Sequence, residues 1–164
     1  MFRSLVTVSL MLSLSPAALG VRAGGDNSLL LSTTDVEKEV LSANNAMIAA
    51  ANRLDVDALF ACVEDGERSS IIQNGVLFNT VADAKSVVKR GLEGVSKIDR
   101  RIENPKVIVL APDAALLVGE GSTIATLSDG RTIENRFAVS LVFVCRDGNW
   151  KLLHGHFSMP VRST

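Results

Sequence analysis

Four stretches in the second half of this chain are rich in β-branched and aromatic residues: SKIDRRIENPKVIVL (96–110), AALLVGEGSTIATL (114–127), RTIENRFAVSLVFVC (131–145) and NWKLLHGHFS (149–158). They are divided only by the turn pairs Pro112-Asp113, Asp129-Gly130 and Asp147-Gly148. Connections that short leave consecutive strands no route except antiparallel pairing, so this half predicts a meander of long strands. Nothing else in the sequence constrains the fold as much.

The first half reads as helices. Thr34-Asp35-Val36-Glu37 has the pattern of a capping box, and behind it Val36, Val40, Ala43, Met47, Ala50 and Leu54 recur at helical spacing, predicting a helix over about 35–53. Asp55 can cap a second, short helix that buries Leu59, Phe60 and Val63. A third starts near Thr80 or Val81, with Ala84, Val87, Val88 and Leu92 on one stripe. Between the second and third, Asn74-Gly75 is flanked by apolar pairs and marks a hairpin, because both central residues of that turn need positive φ. Helices followed by a meander make an α+β fold in which three helices cover one face of a curved, mainly antiparallel sheet.

The extreme N-terminus has the pattern of an address. Arg3 precedes an apolar run from Leu5 to Leu14, Pro16 breaks it, and small residues at Gly20 and Ala23 offer cleavage sites. Residues 1–23 are read as a signal peptide cut after Ala23 or Gly20, which implies a secreted or periplasmic protein. The apolar run falls short of the about 20 residues that span a bilayer, so no membrane partner is expected after cleavage. Residues 24–33 read as a flexible tether, 34–158 as one domain and 159–164 as a tail. The formal charge of −1 and the lack of a basic run argue against a nucleic-acid partner. Cys62 and Cys145 would meet an oxidising setting, and the sequence leaves a disulfide and two free thiols both open.

The order helix, helix, hairpin, helix and four long strands, closing on DGNWKLLHGHFS, resembles the NTF2-like superfamily. More narrowly it resembles its SnoaL-like domains, which include the association domain of calmodulin-dependent kinases. LDVDALFACVED (54–65) is similar to the usual second-helix stretch. The resemblance covers about 34–158 and implies a cone with a pocket between helices and sheet, commonly in a homodimer that meets through the outer sheet face. Members include isomerases, cyclases, dehydratases, epoxide hydrolases and non-catalytic scaffolds, so the fold leaves function open.

Alternation then sorts the faces. Phe137, Val139, Leu141, Phe143 and Cys145 form a wholly apolar set and should face the helices, whereas Arg136, Ala138, Ser140, Val142 and Val144 are mixed. A two-residue turn at Asp147-Gly148 would set His154 opposite Leu141, inside the cone. A three-residue loop with a glycine bulge would set it opposite Ser140, outside. The resemblance favours the bulged loop. Leu153 and Phe157 then point inward, and Phe137, Leu141, Phe143, Leu153 and Phe157 fill or line the cone, with Gly119 and Gly121 giving room. Arg136, Ser140, Trp150, His154 and His156 then share the outer, interface-forming face. The same turn type at Asp129-Gly130 would bring Glu120 into the row of His156, about 9–10 Å away.

His154 and His156 are the only histidines in the chain. An H-x-H pair about 6.6 Å apart on one strand face suits zinc, but a third protein ligand is wanted and only Glu120 offers itself, so no metal is assigned. No cofactor is indicated. In isomerase-type relatives an aspartate acts as base where this chain has Ser69 or Ser70, and a tyrosine hydroxyl completes the oxyanion hole. This chain contains no tyrosine. Kinase association domains present arginines at places held here by Gly121, Leu141 and Phe157. Asp99-Arg100-Arg101 reads as a solvated face. The expectation is therefore a non-catalytic domain that binds a small apolar molecule or pairs with itself. The alternative is an acid/base enzyme using His154, His156 or Glu120.

Overall fold

A computed structural model describes residues 32–66 and 68–160. The signal-peptide reading of 1–23, nearly all of the tether and the tail beyond 160 lie outside the described residues.

Helix α1 spans Thr33–Asn52, and its cap is Ser32, not Thr34. The Ser32 hydroxyl accepts from the Asp35 amide at 3.2 Å and donates to the Asp35 carboxylate at 2.7 Å. Ser-x-x-Asp and Thr-x-x-Glu both suit a helix start, and the earlier one prevails by setting Asp35 against the positive end of the helix. Val36, Val40, Asn44, Met47 and Ala50 form its buried stripe. Helix α2, Val56–Ala61, is capped by Asp55, whose carboxylate accepts from the Ala58 amide at 2.9 Å. A hairpin follows, β1 Ser70–Gln73 and β2 Val76–Phe78, turned at Asn74 and Gly75 with φ of 53° and 77°. Helix α3, Val81–Gly91, starts at the Thr80 cap.

The meander comprises β3 Val95–Ala111, β4 Ala114–Leu127, β5 Thr132–Arg146 and β6 Asn149–Ser158. With the hairpin it makes one six-stranded sheet in the order β2-β1-β6-β5-β4-β3. Every neighbouring pair is antiparallel except β1 with β6. The helices pack on the inner face, where Val36, Val40, Leu117, Leu141, Phe143 and Leu152 are the largest fully buried side chains.

Local irregularities decide which residues face inward. Asp147-Gly148 is a tight two-residue turn, with φ of 51° and 76° and Arg146 opposite Asn149, and not the bulged loop expected from the sequence. Trp150 and Leu152 therefore face inward, opposite Cys145 and Phe143. The extra residue sits in mid-strand: Phe143 pairs with Leu152 and Val142 with His154, leaving Leu153 as a bulge. Beyond it the parity reverses, so Gly155 and Phe157 face inward while His154 and His156 lie opposite Val142 and Ser140 on the outside.

Two expectations change with this. Trp150 is a core residue, 8% exposed, and not part of the outer face. Its indole N–H donates to the Glu39 carboxylate at 3.0 Å, which satisfies the polar end of the ring. The turn at Asp129-Gly130 is a wider loop, in which the Leu127 amide donates to the Arg131 carbonyl and Gly130 has φ of 85°. The two turns differ, which alone would set Glu120 and His156 on opposite faces, but the bulge at Leu153 returns them to one: Glu120 lies in the row of Ala138 and Ser158, and His156 in the row of Ser140 and Val118. The two share a face but stand one row apart.

β3 carries its own bulge: Glu103 pairs with Glu120, and Lys106 with Val118. Asn104 there has φ of 47°. Gly119, opposite, has no room for a side chain, since a Cβ would come 2.8 Å from Ile102 Cγ2.

Candidate functional site

A cavity of about 320 Å³ lies between the three helices and the inner face of the sheet. Its walls are mostly apolar, with Met47 and Ile48 from α1, Leu59 and Phe60 from α2, and Leu141 and Phe157 from the sheet. Such a volume falls at the small end of ligand pockets. Of the residues expected to line it, Leu141 and Phe157 do. Phe137 and Phe143 are buried beneath the lining. Gly121 does not border the cavity, because the Phe137 ring occupies the space above it. Leu153, displaced by its bulge, gives its place to Leu152.

The polar groups of the lining are few: Asn44, Asp55, Gln73, Arg100 and Thr123. Asp55 is exposed and already committed as the cap of α2. Arg100 is the one cation among the lining residues. The sequence predicts a solvated Asp99-Arg100-Arg101 face, and the structure corrects this for Arg100. In β3 the residues Ile98, Arg100 and Ile102 alternate inward, opposite Ala125, Thr123 and Gly121. That alternation was the available signal, hidden by the charges on either side. The Asn52 side chain at the end of α1 holds the Arg100 backbone from the open edge of the sheet.

The guanidinium lies 4.2 Å from the Phe137 ring centre and 5.2 Å from that of Phe157. Both contacts favour a cation over an aromatic face. Neither satisfies an N–H donor, and no carboxylate pairs with Arg100 among the described residues. Burial disfavours its charged form and brings its pKa down to about 10, so it remains a cation at neutral pH. Directly across the strand pair, the Thr123 hydroxyl is buried without a hydrogen-bond partner among the described residues. The cavity thus offers an apolar chamber with a charged and hydroxylic patch on its β3–β4 wall.

The histidines and Glu120 stand elsewhere. His154 Nδ1 lies 2.8 Å from the Ser70 hydroxyl, tying β6 to β1 on the outer face. His156 is exposed beside Ser140. Arg136, also outside, spans Glu103 at 3.6 Å and Glu120 at 3.7 Å. Ser69 donates to the Glu64 carbonyl, so neither serine near the expected base position borders the cavity. No group of three histidines, cysteines or carboxylates is placed to hold a metal among the described residues. Cys62 and Cys145 are both free thiols, and burial raises the pKa of Cys62.

The SnoaL-like domain family model matches residues 40–162. A search of curated proteins found no match. Among solved structures, an NTF2-like superfamily protein from Salmonella enterica serovar Typhimurium superposes with a TM-score of 0.71 at 18% identity, covering 81% of this chain and 96% of that one. A proposed dehydratase of the NTF2-like family from Streptomyces avermitilis gives 0.69 at 20% identity, covering 80% and 100%. A proposed calcium/calmodulin-dependent protein kinase II association domain from Xanthomonas campestris gives 0.66 at 17% identity, covering 75% and 86%. At these identities the likeness speaks for the fold.

Proposed function

The chain belongs to the SnoaL-like domain family, and from that premise we propose that it binds a small, largely apolar molecule in its cone without acid/base catalysis by its histidines. The observation that carries this reading is the chamber of about 320 Å³, walled by aliphatic and aromatic side chains. Removing a compact apolar molecule from water into such a space contributes about 25 cal/mol per Å² of apolar surface buried. The alternative, an acid/base enzyme, would need one of His154, His156 or Glu120 near a reacting atom, and all three lie on the opposite face of the sheet. The described lining contains no histidine, and its one carboxylate caps α2.

Native mass spectrometry of the purified chain, followed by thermal-shift titration with small aromatic and alicyclic molecules, tests the binding reading. A retained ligand or a saturable rise in melting temperature supports it. If no molecule of any polarity binds, the reading fails.

The same proposal takes residues 1–23 as an export signal and the outer sheet face as a homodimer contact. That face presents the exposed Ile108 with Val142 in one row, flanked by Ser140 and His156 in the next. Sequencing the mature N-terminus and measuring the solution mass test these two points.

A further inference from the structure

We infer that the ligand of this cone is an amphipathic monoanion, a small carboxylic acid with an apolar body, whose carboxylate is received by Arg100 with the Thr123 hydroxyl beside it. This rests on the binding reading above and deepens it.

The first support is an unmatched charge. A guanidinium taken out of water needs a counter-charge or hydrogen bonds to its N–H groups. Arg100 has neither among the described residues, only two phenyl rings, and it borders the cavity. Long arginines on a sheet edge ordinarily reach solvent. This one is instead half-buried between rings from β5 and β6.

The second support is independent of charge. Thr123, paired with Arg100 across β3 and β4, keeps a buried hydroxyl that no protein atom satisfies among the described residues. Asn44, on the facing helix, is 3% exposed and turns its polar side chain to the same cavity lining. Buried polar groups without partners are uncommon in folded proteins, and one that borders a chamber beside an unpaired cation marks where a ligand's polar atoms belong. One unpaired cation calls for one negative charge. The fork of a guanidinium matches the two oxygens of a carboxylate, and the remaining apolar walls suit a hydrocarbon body.

Arg100 occupies none of the three positions, Gly121, Leu141 and Phe157, that the family resemblance sets against the arginines of kinase association domains. The cation enters from β3 instead, and Phe157 supplies one of the rings that hold it.

The test is isothermal calorimetry on the full chain with benzoate and cyclohexanecarboxylate, set against benzyl alcohol and cyclohexylmethanol, which keep the body and lose the charge. The acids should bind roughly tenfold to a hundredfold more tightly than the alcohols, and Arg100→Met should abolish that preference. Arg100→Lys should retain part of the preference, keeping the charge without the fork. Acids and alcohols of equal affinity on the unaltered chain would overturn the inference with no variant needed, and would leave the apolar-pocket reading intact. Tighter acid binding that survives in Arg100→Met would overturn it too. If neither class binds, this inference falls, and the apolar-pocket reading is decided separately by the retained-ligand and thermal-shift measurements above.

Discussion

The Asn52 carboxamide grips the backbone of Arg100 at both ends. Its oxygen accepts from the Arg100 amide at 2.7 Å, and its nitrogen donates to the Arg100 carbonyl at 3.0 Å. β3 is the last strand of the sheet, so these two backbone groups point away from β4 toward an open edge. A side-chain amide there does what a further strand would do. It also fixes the end of α1 against the residue that carries the cavity's cation.

Asn52→Ala removes both bonds and leaves a part-buried amide and carbonyl to find water. The expected loss is about 1–3 kcal/mol, read as a lower denaturation midpoint with an unchanged slope. The Arg100 amide should lose hydrogen-exchange protection well beyond the global change. Unaltered exchange at Arg100 would show that the clamp contributes nothing.

Arg100→Met should stabilise the ligand-free chain. The arginine's pKa is lowered by burial to about 10, which means the folded state disfavours the proton that the unfolded state holds freely. Carrying the charge therefore costs native stability at every pH below about 10. That cost is relieved only as the pH rises from there toward the ordinary arginine value. Removing the charge while keeping an unbranched apolar chain should raise stability by roughly 1–2 kcal/mol, after the lost ring contacts are counted. A lower melting temperature at pH 7 would contradict this, and would point to a counter-charge in the ligand-free protein.

Gly121→Ala should be among the most damaging single-methyl additions. A Cβ there would meet the Arg101 carbonyl oxygen and lie 2.6 Å from Cζ of Phe137. Relief requires moving either the edge strand or the ring on which Arg100 sits. The expected penalty is about 3 kcal/mol. Gly91→Ala, at the end of α3 with nothing within 4 Å, should be neutral or slightly stabilising. Equal melting temperatures for the two variants would contradict the packing argument.

The Asp57–Lys85 pair, 2.6 Å apart, joins α2 to α3. The hydrogen bond and charge of Lys85 hold the Asp57 carboxyl below its ordinary value. A depressed carboxylate contributes stability that is present above its unfolded pKa and fades as the pH falls through the folded one. NMR titration of Asp57 should therefore show its midpoint moving up in Lys85→Met, with the acid limb of the stability curve flattened slightly. An unmoved midpoint would mean that the pair does not persist in solution.

Local chemistry made much of this architecture legible. Asn74-Gly75 and Asp147-Gly148 announce hairpins because they tolerate the positive φ of tight turns. The spacing of Val36, Val40 and Met47 announces a buried helix stripe, and Asp55 and Thr80 announce caps. The family resemblance carried by the closing strand placed these elements on one cone, and the SnoaL-like match bears that out.

Which face each strand residue occupies is another matter, because it depends on a running parity that any single extra residue reverses. The turn at Asp147-Gly148 is tight, yet the bulge at Leu153 restores the outward histidines by a different route, and as a consequence Trp150 turns inward and Leu152 takes the lining place expected of Leu153. No local signal in NWKLLHGHFS marks that bulge. It arises where one half of β6 meets residues 62–64 and the other half pairs with β1. Arg100 likewise has charged neighbours in sequence and aromatic neighbours only in space. A residue's backbone preferences are settled within a few positions of chain, whereas its burial and its partners depend on what the rest of the sheet brings beside it, and there the tertiary structure alone decides.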